Sequence, residues 1–101
     1  MLVPLGESAT IRNAETICES LLAAFDEHGD VELDASAVVE ADLSLIQLVA
    51  AARVHAARTG RRFALCAPAN AALEALLRRG GFLTAPSPAD RAFWLGEEQG
   101  R

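Results

Sequence analysis

The sequence contains no lysine, because all nine of its basic residues are arginine. A P-loop needs a lysine to reach the phosphates of its nucleotide, a pyridoxal enzyme needs one for its Schiff base, and a protein kinase needs one opposite its helix glutamate. A receiver domain also needs a basic group that reads its aspartyl phosphate, although Asp34 ends a predicted strand as such an aspartate would. The sequence therefore excludes all four classes.

Tyrosine is absent as well, and the aromatic residues are four phenylalanines and one tryptophan. This number is too small for a surface on which bases stack. Fourteen acidic residues against nine basic ones give a net charge of −5, and such a surface repels phosphate backbones and anionic lipid headgroups. We therefore expect no nucleic-acid partner.

Cysteine is scarce, and both Cys18 and Cys66 lie within apolar runs. This placement favours two buried thiols in a reducing compartment. Together with His28 and His55 they could form a set of two cysteines and two histidines, but no pair has the short spacing that zinc sites normally show. We expect neither a metal nor another cofactor.

Long hydrophobic runs are also missing, since a membrane span needs about 20 uninterrupted apolar residues. The stretch 43–57 is broken by Ser44, Gln47, Arg53 and His55. The N-terminus has no cationic region followed by an apolar stretch and a cleavage site. These absences predict a cytoplasmic protein with no direct membrane insertion.

With 101 residues, of which 51% are hydrophobic, the chain has the size and balance of one compact domain. We assign residues 1–85 to that domain and residues 86–101 to a C-terminal tail. Phe93, Trp94 and Leu95 would be costly if exposed to water, so Pro88 to Leu95 is predicted to form a short docked helix or strand. This cluster either covers an exposed face of the sheet or forms a homodimer or partner contact.

Hydrophobic periodicity predicts an α/β fold with three short strands and one helix in its first half. Two short strands cover Met1 to Leu5 and Ala9 to Ile11. Asn13 is placed to cap a first helix whose apolar positions are Ile17, Leu21, Ala24 and Phe25, and His28 with Gly29 closes it. A third strand, Val31 to Ala35, carries Asp34 near its C-terminal end, and a loop of about seven residues follows.

The second half of the chain is predicted to contain two helices and one strand. The second helix covers about Leu43 to Thr59. Asp42 is placed to cap or charge-stabilise its N-terminus, and Gly60 ends it. The strand Arg62 to Ala67 carries four consecutive apolar residues, a pattern typical of a strand covered on both faces. Strand, helix and strand should form a parallel crossover. A third helix covers Asn70 to Arg79.

No catalytic apparatus is visible in the sequence, since it has no nucleophile elbow and no cysteine beside a histidine partner. One segment nevertheless stands out, from Leu33 to Leu48, because it leads from a strand end through a polar turn to a helix start. Asp34 and Ser36 can turn the chain, while Asp42 or Ser44 can satisfy free N–H groups of the helix. Local capping and a functional site both remain open for this segment.

The pattern Asp34-x-Ser36-x-Val38, then Asp42-x-Ser44, then Ile46-Gln47-Leu48 resembles the signature of the STAS domain, a family that includes bacterial anti-sigma factor antagonists. The resemblance covers about residues 2 to 83. It implies a STAS-like mixed β-sheet of four to five strands with helices packed mainly on one side. It also implies a non-catalytic module with a partner-binding surface around the start of the second helix. The residues implied in partner binding are Asp34, Ser36, Asp42, Leu43, Ser44, Leu45 and Gln47.

Leu43 occupies the position at which members of this family with a phosphorylation switch carry a serine or threonine. A leucine cannot accept phosphate, so Ser44 is the candidate phosphorylation site and an unswitched adaptor is the favoured interpretation. Leu43 then either offers a permanent apolar contact or turns inward as core.

The resemblance implies a regulatory module of a bacterial signalling pathway. Its protein partner would be a histidine-kinase-like ATPase, a phosphatase or a chemotaxis component, and Ile46-Gln47-Leu48 is similar to the chemotaxis-associated proteins of the family. The alternative is a cytoplasmic accessory subunit of a phospholipid-transport-type ABC transporter, which contacts the transporter ATPase and needs no phosphorylation switch.

Overall fold

Strands and helices follow one another along the computed structural model, which describes residues 1–96. Within these residues the strands are β1 (Leu2–Pro4), β2 (Ser8–Ala9), β3 (Val31–Asp34), β4 (Glu40–Ala41) and β5 (Phe63–Leu65). The helices are α1 (Ala14–His28), α2 (Leu43–Thr59), α3 (Ala71–Arg79) and α4 (Pro88–Leu95). No helix among these residues is long and apolar enough to cross a membrane.

The strands form two small sheets. The larger one has the order β1-β3-β5, and the smaller one pairs β2 with β4. Every one of these pairings is parallel, with Val3 opposite Leu33, Val31 opposite Phe63 and Ala9 opposite Ala41 in register. The predicted α/β class and the parallel β3-α2-β5 unit are confirmed. The strands are divided between two parallel sheets, where the resemblance implied one mixed sheet.

The helices cover one face of the larger sheet. Val3 and Leu33 are buried on that face, whereas Leu2, Glu32 and Ala64, which lie side by side on the other face, are exposed. The apolar positions predicted for α1 are all buried, and α2 buries Leu45, Ile46, Val49, Ala52 and Ala56. This arrangement confirms that the helices pack mainly on one side.

The prediction that β5 is covered on both faces is wrong. β5 is an edge strand of the sheet, Ala64 is exposed, and Phe63 and Leu65 are partly buried. Cys66 follows on the uncovered side and is exposed, while Cys18 is half-buried. The expectation of two buried thiols is therefore also wrong, because Cys66, like Ala64, lies on the side of the sheet that no helix of residues 1–96 covers.

The predicted start of α1 is correct in position but not in mechanism. Asn13 is the cap residue, yet its side chain makes no capping hydrogen bond to α1. Its Oδ1 accepts from the Thr10 N–H at 2.7 Å, and its Nδ2 donates to the Ser8 carbonyl at 3.0 Å. Asn13 therefore holds the turn after β2, which ends at Ala9 and not at Ile11 as predicted.

The segment predicted to dock, Pro88 to Leu95, is helix α4 in the structure, and Trp94 is buried in it. The Phe93 ring lies 5.4 Å from the Phe63 ring, and the Arg53 guanidinium lies 4.8 Å above Phe93. Arg53 also donates a hydrogen bond of 2.9 Å to Asp90. These contacts fasten α4 to α2 and β5. The rest of the predicted tail, residues 97–101, lies outside the described residues.

Candidate functional site

The polar turn predicted at the end of β3 is present. Asp34 Oδ1 accepts from the Ser36 N–H at 3.0 Å and from the Ser36 hydroxyl at 2.6 Å. The Ser36 hydroxyl is also the main reason that the pKa of Asp34 lies below its ordinary value. The carboxylate is therefore charged near neutral pH, and its oxygen shapes the chain that leads towards α2.

Asn70 fixes the same loop from the opposite side. Its Nδ2 donates to the carbonyls of Ala35 at 3.2 Å, Ser36 at 3.3 Å and Val38 at 2.8 Å. Its Oδ1 accepts from the Leu73 N–H at 3.0 Å and so caps α3. The sequence identified Asn70 only as the start of a helix, since no local pattern reports a contact more than 30 positions away along the chain.

Asp42 ties the start of α2 to the end of the β2 turn. Its Oδ1 accepts from the Ser44 N–H at 3.0 Å, which caps α2, and its Oδ2 accepts from the Ile11 N–H at 3.0 Å. The Ile11 N–H is the main reason that the pKa of Asp42 is lowered. Of the two capping residues considered for α2, the structure therefore selects Asp42.

Three exposed aliphatic side chains lie in the β2 turn, beside β4 and at the start of α2. Leu43, the first residue of α2, is 48% exposed, Ile11 is 69% exposed and Val39 is 73% exposed. The Val39 N–H donates to the Glu7 carbonyl at 2.8 Å, which places Val39 at the margin of the β2-β4 pair. We call Ile11, Val39 and Leu43 the docking patch. The interpretation that Leu43 turns inward as core is wrong.

The remaining predicted site residues differ in their accessibility. Ser36 and Gln47 are exposed, Ser44 and Asp34 are half-buried, and Leu45 is buried in the core. The side chain of Leu45 therefore supports α2 from inside and does not face a partner. Sequence reasoning missed Ile11, which it assigned to a strand, and Val39, which it assigned to a loop. Val39 was missed because β4, which begins directly after it, is too short to be recognised in the sequence.

The chain matches the family model described as Mlab, STAS domain, over residues 1–84. It belongs to the STAS domain family. The match includes β1 to β5 and α1 to α3, so in this STAS domain α4 lies beyond the matched residues. Comparison with curated proteins gave no significant match, and comparison with solved structures gave none either.

STAS domains are generally non-catalytic and act through protein-protein interaction. The geometry of this STAS domain is compatible with such a role. Asp34 and Asp42 each accept two hydrogen bonds from their own chain, which uses these carboxylates to hold backbone segments in place. Among residues 1–96, no group of three or more His, Cys, Asp or Glu side chains lies together in a way that could hold a metal ion.

Proposed function

We propose that this STAS domain is a non-catalytic cytoplasmic adaptor that binds another protein through the docking patch. The observation that carries the proposal is the exposure of Leu43 at the first residue of α2. The proposed partner is a histidine-kinase-like ATPase, a phosphatase or a chemotaxis component of a bacterial signalling pathway.

The energetics of the docking patch support a binding role. Removing apolar surface from water contributes about 25 cal/mol per Å². The three exposed aliphatic side chains of the docking patch would then serve as the apolar centre of an interface whose polar groups lie around it. Asp42 and Asn70 hold the surrounding loops in place before binding, so less ordering entropy is lost when the partner docks.

Acidic side chains border the docking patch. Glu7 and Glu40 are exposed beside Val39, and the Ser8 hydroxyl donates to Glu40 at 3.3 Å. A partner with an apolar centre and flanking arginine or lysine residues would complement this border. Such a complex should associate more slowly as the salt concentration rises.

The docking patch also favours permanent over switched binding. Leu43 has no hydroxyl to phosphorylate, and a phosphate on the neighbouring Ser44 would stand beside the charged Asp42 carboxylate. We therefore propose that Ser44, the candidate phosphorylation site, is not used as the main switch. This feature equally suits the second candidate function, a subunit held permanently on the ATPase of a phospholipid-transport-type ABC transporter.

Affinity capture with a matched pair of variants tests the proposal. Leu43→Asp places a charge in the docking patch, whereas Leu2→Asp alters a side chain of nearly equal exposure, 49% against 48%, on the uncovered face of the sheet. Tagged wild type and variants would be incubated with lysate of the native organism, and the bound proteins would be quantified by mass spectrometry. The captured protein would then be purified and its Kd measured by titration calorimetry.

We expect a kinase-like ATPase, phosphatase or chemotaxis protein that is lost with Leu43→Asp and retained with Leu2→Asp. Capture of a transporter ATPase with its permease would favour the second candidate function. An unchanged Kd for a folded Leu43→Asp variant would show that the docking patch is not the binding surface.

A further inference from the structure

Helix α2 carries exposed apolar side chains on its outer side as well as buried ones on its inner side. Its inner side is buried against the sheet and α1. On its outer side Val54 is 51% exposed, and Ala50, Ala51 and Ala57 are also exposed. A contiguous group of exposed apolar side chains marks a surface that a partner can cover. Asp90 of α4 borders this outer side, beside Ala50, Val54 and Ala57, yet all three of these α2 side chains remain exposed.

A shallow apolar groove continues this surface towards α1. Its volume is about 230 Å³, and its walls include Cys18, Leu22, Leu48, Ala51 and His55. Leu22 is itself among the exposed large hydrophobic residues. The groove and the outer side of α2 therefore form one continuous apolar surface, which we call the helical face.

The two helices of the helical face carry opposite charge. α1 contains Glu15, Glu19, Asp26 and Glu27 and no arginine. α2 contains Arg53 and Arg58 and no acidic residue. Arg53 is engaged by Asp90, whereas Arg58 is exposed in the last turn of α2. The same surface thus carries both members of a complementary pair of charges.

Self-complementarity of this kind fits one occupant, a second copy of the chain. In a dimer with two-fold symmetry the same patch is used on both subunits, so residues of α1 on one copy meet residues of α2 on the other. An antiparallel crossing would place the end of α2 that carries Arg58 against the start of the other α1, where Glu15 and Glu19 lie. The apolar groove would be closed on both copies between these contacts.

We propose that the helical face is the interface of a symmetric homodimer. Val54 lies eleven residues after Leu43 in α2, which corresponds to about 16 Å along the helix axis at 1.5 Å per residue. The helical face is therefore centred about three helical turns from Leu43, on the same side of α2.

Sedimentation equilibrium tests the proposal with a matched pair of valine variants. Wild type at concentrations up to about 200 µM should show twice the 10.7 kDa chain mass, since this range detects a Kd in the micromolar region. Val54→Glu places a carboxylate opposite the acidic α1 and should raise the Kd by at least about tenfold. Val39→Glu changes an exposed valine of the docking patch and should leave the dimer unchanged. Circular dichroism verifies that both variants are folded.

A charge exchange tests the proposed pairing directly. Arg58→Glu should weaken the dimer, and adding Glu15→Arg and Glu19→Arg to the same chain should restore it. A monomeric wild type, or a dimer that tolerates Val54→Glu, would overturn the proposal. Loss of a captured protein partner with Val54→Glu from a monomeric wild type would assign the helical face to that partner instead. The proposed function has a separate test. It is contradicted if folded Leu43→Asp and Val39→Glu variants bind the captured protein as tightly as wild type does.

Discussion

The backbone N–H of Ile11 donates a hydrogen bond of 3.0 Å to the carboxylate of Asp42, which lies 31 positions further along the chain. The other oxygen of that carboxylate caps α2 through the Ser44 N–H. One side chain therefore sets both the start of the helix and the position of the neighbouring turn. Two members of the docking patch, Ile11 and Leu43, are held by this one group.

Replacing Asp42 should separate its two roles. Asp42→Asn keeps one side-chain oxygen, so it can cap α2 but cannot accept from Ile11 and Ser44 through two oxygens as the carboxylate does. Asp42→Ala loses both hydrogen bonds. We expect the melting temperature to fall in the order wild type, Asp42→Asn, Asp42→Ala. Amide hydrogen exchange should show a faster Ile11 N–H in both variants, and an unchanged Ile11 rate in Asp42→Ala would contradict the structure.

The stability of the fold should decrease in acid. The pKa values of Asp34 and Asp42 are lowered mainly by hydrogen bonds from Ser36 and Ile11, and the pKa of Asp90 is lowered mainly by Arg53. A carboxyl whose pKa is lower in the folded state stabilises fully above its unfolded pKa, near 3.8 here, and loses that contribution as pH falls through the folded value.

Urea unfolding measures this effect. The midpoint for wild type should be lower at about pH 3 than at about pH 6, because in this window the carboxyls of the unfolded chain take up more protons than those of the folded state. Asp42→Asn should show a smaller decrease between the same two conditions, since one of the three carboxyls no longer titrates. An equal decrease in wild type and variant would show that Asp42 does not contribute to the acid sensitivity.

Asn70 should contribute to stability in two separable ways. Asn70→Ser keeps an oxygen that can cap α3 but removes the amide that donates to the carbonyls of Ala35, Ser36 and Val38. Asn70→Ala removes both. We expect Asn70→Ala to lower the free energy of unfolding by about 1–3 kcal/mol, because it leaves partly buried carbonyls without a partner.

Hydrogen exchange distinguishes the cap from the loop contacts. Asn70→Ser should speed exchange in residues 35–38 while the first turn of α3 stays protected. If residues 35–38 remain as protected as in wild type, the amide contacts do not hold the loop. The docking patch should also bind more weakly in Asn70→Ser, since Val39 follows directly after this loop.

Trp94 reports on the docking of α4, because it is the only tryptophan in the chain. Its indole is buried beside Phe93, so emission in the folded state should be shifted to short wavelength. Trp94→Ala should cost about 3–5 kcal/mol, the usual range for a large aromatic side chain in a core. Phe82→Ala, at an exposed position, should cost less than about 1 kcal/mol.

Two probes of one urea titration test whether α4 belongs to the same cooperative unit as the sheet. We expect the tryptophan fluorescence and the circular dichroism to change at the same urea concentration, because Arg53 and Phe63 join α4 to α2 and β5. A fluorescence transition at clearly lower urea would show that α4 separates from the domain before it unfolds.

Local signals explain most of the correct predictions. Asp42 and Gly60 bound α2 as expected, and Ser87 caps α4 where the composition indicated a docked segment. Pairing between distant segments explains the misses. The two-residue strand β4 has no periodicity to detect, and it is formed only through its partner β2. The exposed Cys66 was misassigned because four consecutive apolar residues do not reveal that β5 is at an edge.

For the candidate site, too, the sequence indicated the local contacts and missed those between distant segments. Asp34, Ser36 and Asp42 make contacts within two residues along the chain, and these are predictable from their residue types. Ile11, Val39 and the amide contacts of Asn70 join segments more than 30 positions apart. Such contacts depend on the completed sheet, and no single stretch of sequence encodes them.

Because the strand pairings are parallel, the docking patch forms late in folding. Parallel strands cannot be joined by a tight turn, and Ser8 and Glu40, which pair across the small sheet, are 32 positions apart. Closing such long loops is slow, since the entropy of the intervening chain is lost before the contacts form. During synthesis on the ribosome, Ile11 emerges well before Asp42 and cannot be anchored until α1 and β3 have followed it. A partner that recognises the docking patch would therefore select finished molecules over nascent or misfolded chains.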